Sequence, residues 1–511
     1  MNDQRSPMSV EELRVLDLNA AWLGLSPSLL MEAAGEAVAR ELAARVKEGS
    51  SVLVLCGSGN NGGDGLVAAR RLSAMGYDVT VGLTSRAEEL SGPPKEKFEL
   101  LSRLYTVKVF ERADAEAVKR LISSAQAVIV ALVGTGVKGP LREPLRSIVT
   151  VVNASNAFKL AVDVPAGIDP DSGEAGDVTL KADLTVTMHA PKLGFARHRL
   201  NYVVADIGIP REAETLVGPG DVFVALRARK PTAKKGDMGK LLVIGGGRYY
   251  TGAPALAALG AMRTGVDLVA VATPECAAPT IRSYSPAIIV HPLKGEVLTE
   301  ESVSELLPLI ARYDAVVFGM GIGREPETMG AVPKIIKELK RLEKPYLIDA
   351  DALHALPENP GGVLTPHAGE FAAMTGSKPS EEPDRGADFE RLMAVRVNDV
   401  MKASLRLGSV ILLKGKYDVI TDGKRYKLDG TGNPGMAVGG VGDVLSGVIG
   451  AFLSWKNEPF RATCAGSFVT GVAGDIAASR KGYHLLATDV IDSIPDAFSK
   501  YWPGYRFPLP S

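Results

Sequence analysis

Several features are scarce in this sequence, and each absence excludes something. There are three cysteines, Cys56, Cys276 and Cys464, in 511 residues. They are odd in number and far apart, which argues against a disulfide framework, and no CxxC or Cys/His cluster offers a zinc site. Neither sign of charge dominates. Lys and Arg number 58 against 59 Asp and Glu, a net charge of −1, so nothing draws the chain to nucleic acid or an acidic membrane surface. No run approaches the ~18 apolar residues of a membrane span. The N-terminal stretch lacks the apolar region of a secretory signal, so a reduced, cytoplasmic protein is expected. No short-period repeat is present.

What is present is a long, apolar, glycine-rich chain. The apolar fraction is 46% and glycine numbers 55, much of it in short runs that suit tight turns rather than disorder. The length suits two large domains. Short β-branched runs recur at 52–55, 128–133, 161–164, 241–244, 268–271, 315–318, 346–348 and 410–413, and segments of helical spacing separate most of them. That rhythm predicts α/β architecture with parallel sheets covered on both faces. Residues 11–30 and 31–46 read as helices ahead of the first strand, with Ser26 and Pro27 as N-cap and N1 of the second. Asp422-Gly423 inside 418–428 signals a hairpin. The Pro- and Gly-bearing segment 211–235 reads as a junction, giving domains at 1–213 and 225–505.

In the first half, Cys56-Gly57-Ser58-Gly59-Asn60-Asn61-Gly62-Gly63-Asp64-Gly65 lies between a strand and a helix. Gly57, Gly59 and Gly62 have the spacing that lets amides approach a phosphate at a helix N-terminus. The acidic residue of a dehydrogenase fingerprint is missing from the end of the next strand, 79–83. Asn60, Asn61 and Asp64 are more polar than a plain tight turn requires. Gly134-Thr135-Gly136 and Asp163-Val164-Pro165-Ala166-Gly167-Ile168-Asp169 also follow strands, where an open sheet gathers its ligand loops. Taken alone, Asp163 reads equally as a turn cap or an acid/base group.

Together with Leu30-Met31-Glu32-Ala33-Ala34-Gly35, these motifs resemble the NAD(P)H-hydrate epimerase family over residues 8–213. The resemblance implies a Rossmann-like doubly wound domain. It implies that Asn60, Asn61, Gly62, Gly63 and Asp64, with Gly134, Thr135, Gly136, Val137, Lys138, Gly139 and Pro140, bind the hydrate. Asp163 would face the reacting end of the nicotinamide ring as the acid/base residue, and Asn61 would sit at a potassium site. Two potassium ligands of the family are replaced, an Asp by Val130 and a Ser by Ala166. A hard cation needs oxygen ligands, so the site is expected to be weakened or lost. Potassium dependence should be weaker, or epimerase activity reduced or absent.

In the second half, Thr431-Gly432-Asn433-Pro434-Gly435-Met436-Ala437-Val438-Gly439-Gly440-Val441-Gly442-Asp443 opens a strongly apolar helix. Its glycines suit an anion cradle, and Asp443 stands where a carboxylate takes a proton from a hydroxyl aimed at a phosphate. Gly245–Gly247, Gly319–Gly323, Asp349–Leu353, Thr365–Glu370 and Lys414–Asp418 follow other strands. His367 between Pro366 and Gly369-Glu370 reads as a substrate contact, and Lys414 as a point charge for phosphate. These segments resemble the ADP-dependent NAD(P)H-hydrate dehydratase family, of ribokinase-like fold, over 235–500. The resemblance implies Asp443 as catalytic base and Ala253, Gly321 and His367 as hydrate contacts. Lys414, Gly415, Lys416, Tyr417, Asp418 and Gly442 would hold ADP, and Glu370 would act on Mg2+ through water. Val441 stands where the family has Thr, a small loss if main-chain amides form the cradle.

The implied substrates are hydrated NADH and NADPH with ADP, and a homo-oligomer is the expected assembly. Two other readings stay open. The second half reads also as a small-molecule kinase of the same fold, and the first as a degenerate nucleotide-binding module.

Overall fold

The computed structural model describes residues 5–136, 139–384 and 386–502. The chain divides into two compact units, Met1–Ala213 and Glu214–Ser511. Among the described residues no helix is long and apolar enough to cross a membrane.

The first unit is built on seven strands: β1 (Ser51–Cys56), β2 (Asp78–Leu83), β3 (Val107–Phe110), β4 (Ala127–Ala131), β5 (Phe158–Val162), β6 (Leu184–Met188) and β7 (Tyr202–Ala205). They lie in the order β3-β2-β1-β4-β5-β6-β7, and every pairing is parallel. Side chains alternate between faces along each strand. Val52, Val54 and Cys56 enter one core, while Leu53 and Leu55 enter the other. This is why β1 reads as a continuous apolar run. The order reverses between β1 and β4, so their carboxyl ends frame a crevice. Strands β3, β6 and β7 were not among the sequence expectations, and β4 ends at Ala131, before Leu132 and Val133.

The two leading helices are Val10–Trp22 and Pro27–Ala43. The second begins earlier than the sequence expectation of residue 31. Ser26 accepts a hydrogen bond from the Leu29 amide, and Pro27 takes the first helical position; that cap sets the boundary.

The second unit carries β8 (Lys240–Ile244), β9 (Leu268–Pro274), β10 (Ile289–Leu293), β11 (Ala315–Phe318), β12 (Tyr346–Ile348), β13 (Val363–Leu364), β14 (Val410–Leu413), β15 (Asp418–Thr421) and β16 (Tyr426–Asp429). The sheet runs β10-β9-β8-β11-β12-β13-β14-β15-β16. It is parallel up to β14 and antiparallel from there on. Asp422-Gly423 turns the β15–β16 hairpin, with Gly423 at φ +85°. The reversal falls between β8 and β11. The stretch read as a junction is partly core. Helix Pro219–Ala225 buries Asp221 completely, between Lys427 at 2.7 Å and Arg461 at 2.8 Å. A buried carboxylate survives only with such partners.

Candidate functional sites

In the first unit, two chain segments meet main chain to main chain. A Cβ on Gly57 would overlap the Leu132 carbonyl, and one on Gly62 would overlap the Gly57 carbonyl. Glycine is therefore required for the loop after β1 to sit against the loop after β4. The helix that follows, Asn60–Ala74, has no side-chain cap at Gly59, so its first amides are left for a ligand. A Cβ on Gly63 would lie 2.5 Å from the Met31 sulfur. Glu32 pairs with Arg70 at 2.5 Å and Lys97 at 3.2 Å. The segment Leu30–Gly35 thus braces the site helix.

Asn60 is exposed, Gly62 and Gly63 are buried, and Asn61 and Asp64 lie between. Asn61 Nδ2 donates to the Val162 carbonyl at 2.8 Å. Its Oδ1 is buried without a partner, an acceptor that normally finds a donor or a cation. A Cβ on Gly134 would lie 3.2 Å from the Asn61 Cβ, so the β1, β4 and β5 loops converge. Thr135 is half-buried, and Gly136, Gly139 and Pro140 are exposed; Val137 and Lys138 lie outside the described residues. Val130 and Ala166 are 2% and 3% exposed and pack in an apolar cluster with Leu132 and Leu180. Asn61 alone therefore remains of the three side-chain oxygens, and the residues present do not fit a potassium site.

Asp163 leaves β5 with φ +66°, a left-handed conformation costing a non-glycine residue about 1–3 kcal/mol. Its Oδ1 meets Lys192 Nζ at 2.6 Å, the Met188 amide at 3.2 Å and the Thr187 hydroxyl at 3.4 Å. Two further carboxyls share this region. Asp64 is pushed well above the usual carboxylate range by burial first, then by Asp163 and Asp17. Asp17 is raised to about 6 by burial and Asp163, with Lys192 opposing. Neither Asp17 nor Lys192 was found from the sequence. Lys192 follows a strand that was missed, and it is a single charge in the apolar stretch 188–195.

In the second unit, Gly440 at φ +96° begins helix Val441–Ser454 without a side-chain cap. A Cβ on Gly439 would meet nothing, and one on Gly442 only Lys414 Nζ at 3.5 Å. The turn is therefore an open cradle facing an ammonium. Behind it the helix is packed to contact: a Cβ on Gly447 would overlap the Ala257 carbonyl. Lys414 Nζ lies 3.1 Å from Asp349 Oδ1 and 3.7 Å from Glu370 Oε2. Burial pulls its pKa down, but Asp349 and Glu370 outweigh that, and the net shift is upward. The other Asp349 oxygen accepts from Ser446 on the Asp443 helix at 2.7 Å. Asp443 is raised to about 7, by burial first and then by Asp349, with Lys414 opposing. A carboxyl poised there suits general base work near neutrality.

Gly321 stands against Tyr250 and Ala253, whose Cβ would be 3.5 Å from an added one. The two expected hydrate contacts are thus neighbours. His367 Nδ1 accepts from the Gly369 and Glu370 amides at 3.0 and 3.2 Å, and the Glu370 carboxylate accepts from the His367 amide at 2.8 Å. His367 therefore caps helix Ala368–Thr375 through Nδ1, with Nε2 3.5 Å from Glu370 Oε1 and a side chain 61% exposed.

The loop after β14 differs from a free phosphate nest. The Gly415 amide is taken by Asp418 at 2.9 Å. The Lys416 and Tyr417 amides are taken by Glu382, at 3.0 and 2.5 Å. Asp418 is itself buried, its carboxyl raised to about 7 by burial and Asp429. What this loop offers the cradle is the Lys414 ammonium, while Lys416 points to solvent and pairs with Asp384 at 3.1 Å. Glu382 carries no local sequence signal.

With both crevices described, comparison with known proteins is direct. A family model described as NAD(P)H-hydrate dehydratase matches residues 241–496, and one described as YjeF-related protein N-terminus matches 28–194. A bifunctional NAD(P)H-hydrate repair enzyme of Pyrobaculum aerophilum is 43% identical over 96% of this chain and 97% of its own. The chain belongs to the family of bifunctional NAD(P)H-hydrate repair enzymes. A second relative of that name, from Archaeoglobus fulgidus, is 42% identical over 96% of this chain and 98% of its own. Among solved structures, an ADP/ATP-dependent NAD(P)H-hydrate dehydratase of Bacillus subtilis, co-crystallised with ATP and Mg2+, is 26% identical. It covers 56% of this chain and 98% of its own, with a TM-score of 0.46. The first unit is Rossmann-like and doubly wound, and the second is an α/β unit on a mostly parallel nine-stranded sheet.

Proposed function

We propose that the second unit dehydrates the S-hydrates of NADH and NADPH at the expense of ADP, and that the first unit interconverts the R and S epimers. One observation carries the dehydratase reading: Asp443 stands at the mouth of an uncapped helix whose glycine turn faces Lys414. Asp443 takes the proton of the C6 hydroxyl, the oxygen attacks the terminal phosphate of ADP, and the bond to the α-phosphate breaks with AMP leaving. The cradle amides and Lys414 meet the charge that builds there. The ring nitrogen then expels phosphate, a better leaving group than hydroxide, and the iminium so formed loses a C5 proton to water or phosphate, which restores the C5=C6 bond of the dihydropyridine. Ala253, Gly321 and the exposed His367 side chain line the hydrate side.

Among the described residues no three His, Cys, Asp or Glu side chains form a metal cluster. Asp349, Glu370 and Asp443 nevertheless supply carboxylate oxygen around the cradle, a set that fits a magnesium ion held by nucleotide phosphates and water. Glu370 would hold it through water, and it would neutralise phosphate charge. The epimerase reading rests on the convergence of Asn61, Gly134 and Asp163 at one crevice, and no step is assigned to potassium.

The test is incubation of the full-length protein with S-hydrate, ADP and Mg2+, following the return of reduced-nicotinamide absorbance. Recovery is expected, and Asp443→Asn should abolish it. Formation of a stable phosphate ester without recovery would support a small-molecule kinase instead.

A further inference from the structure

We propose that a cavity apart from both crevices binds a small phosphate monoester with a ring-sized apolar body, and that its occupancy is felt at the loop after β14. The binding stands by itself; the coupling rests on the dehydratase reading given above.

The cavity has a volume of about 350 Å³, which suits a small ligand. It lies in the second unit, between helix Ala368–Thr375 and helix Phe389–Leu407. Its apolar lining includes Phe371 and Ala403, 2% and 7% exposed. Its charged lining is Lys378, Lys402, Arg406 and Asp399, so cations outnumber the single carboxylate.

The helix explains why that charge stays unbalanced. Asp399, Lys402 and Arg406 follow one another at spacings of three and four, so they share one helix face. Asp399 is placed to pair with Lys402, yet its Oδ2 is taken by Ser380, whose amide and hydroxyl donate to it at 3.1 and 2.5 Å. Arg406 donates to the Thr375 carbonyl at 3.1 Å and keeps further N–H groups to offer. Lys378 and Lys402 are exposed, and among the described residues neither has a hydrogen bond or ion pair. Lys402 and Arg406 are like charges one turn apart, a repulsion that a bound anion relieves. A phosphate monoester carries about −1.5 to −2 charge near neutrality and three acceptor oxygens, which suits this set of cations. Phe371 and Ala403 offer an apolar surface to a ring beside it.

The walls reach the nucleotide crevice from two sides. Phe371 follows Glu370, and its amide donates to the His367 carbonyl at 2.8 Å, so one wall is built on the turn that carries both. The other wall holds the segment from Lys378 to Glu382. Asp399 fixes Ser380 there, and Arg396 on the same helix donates to the Ser380 carbonyl at 2.6 Å. Two residues on, Glu382 holds the Lys416 and Tyr417 amides. A ligand that draws Lys378 toward Lys402 and Arg406 therefore acts on the segment that clamps this loop. Linkage requires the nucleotide to act back on that ligand.

The probe is phenyl phosphate. Full-length protein saturated with ADP and Mg2+, so that the cradle is filled, is titrated with it by calorimetry. The titration reads binding alone, so its outcome is separate from whether the protein dehydrates the hydrate. One site per chain is expected, with a Kd below about 1 mM. Inorganic phosphate should bind at least ~10-fold more weakly, for want of the ring. Lys378→Glu combined with Lys402→Glu should weaken phenyl phosphate at least ~10-fold. Dehydration by that variant without the probe should be unchanged, which also shows that it folds. In the wild type, saturating phenyl phosphate should change KM for ADP at least ~5-fold, and in the double variant it should not. Absence of binding, equal affinity for inorganic phosphate, or binding untouched by the double variant overturns the site. Binding that leaves KM for ADP within about twofold overturns the coupling.

Discussion

Each unit places one lysine among carboxylates at the carboxyl edge of its sheet, and the two lysines differ. Lys192 is 1% exposed and its hydrogens are taken by Asp163 and two carbonyls. Lys414 is 23% exposed, with Asp349 on one side and Glu370 more loosely on another, and it looks onto Gly442. A saturated ammonium is a fixture that sets its neighbour's charge and direction. An ammonium with an open side can meet a charge that arrives with a ligand. The carboxyls follow suit: Asp163 keeps one oxygen free of internal bonds, while both oxygens of Asp349 are used in tying Lys414 to the Asp443 helix.

The largest effect expected from this contrast is at Asp443. Asp443→Asn should lower nucleotide-dependent dehydration by about a thousandfold and leave epimerisation intact. A parallel loss in both assays would break the assignment of one step to each unit. Next is Lys414→Ala, which should raise KM for ADP about 10- to 100-fold, the cost of one charge-assisted contact. An unchanged KM would make Lys414 a fixture like Lys192. A smaller effect is a shift in pH profile. Asp443 must be ionised to act, so kcat/KM for dehydration should rise with pH through about 7. Asp349→Asn removes a charge that raises Asp443, so the limb should move to lower pH. Movement to higher pH would show that the loss of Lys414 anchoring dominates. The smallest is the response to potassium. With Val130 and Ala166 in the apolar core, replacing potassium by sodium at constant ionic strength should change epimerisation by less than about twofold. Strong potassium stimulation would show that Asn61 Oδ1 and main-chain carbonyls suffice.

Much of this was legible in advance. The runs at 52–55, 315–318 and 346–348 are continuous and apolar because both faces of the sheet are covered, and they form β1, β11 and β12. Strands β3 and β10 escaped notice because they are short or half-exposed edge strands with mixed sequence. The glycine turns at 57–63 and 439–442 were visible, and with them the positions of Asn61 and Asp443. The loop at 414–418 was visible too, but not that Glu382 and Asp418 already hold its amides.

The sequence by itself determined the strands, the caps and the glycine turns, because backbone preference and side-chain alternation act between near neighbours. It also determined the loss of two oxygen ligands at positions 130 and 166, which needs only the identity of the residues. Only the tertiary structure decided which charges meet. Asp163 and Lys192 come from separate segments, as do Asp349, Lys414 and Asp443. Their pairing depends on distance through space and on how much water the crevice excludes, and neither is written in the spacing of residues along the chain.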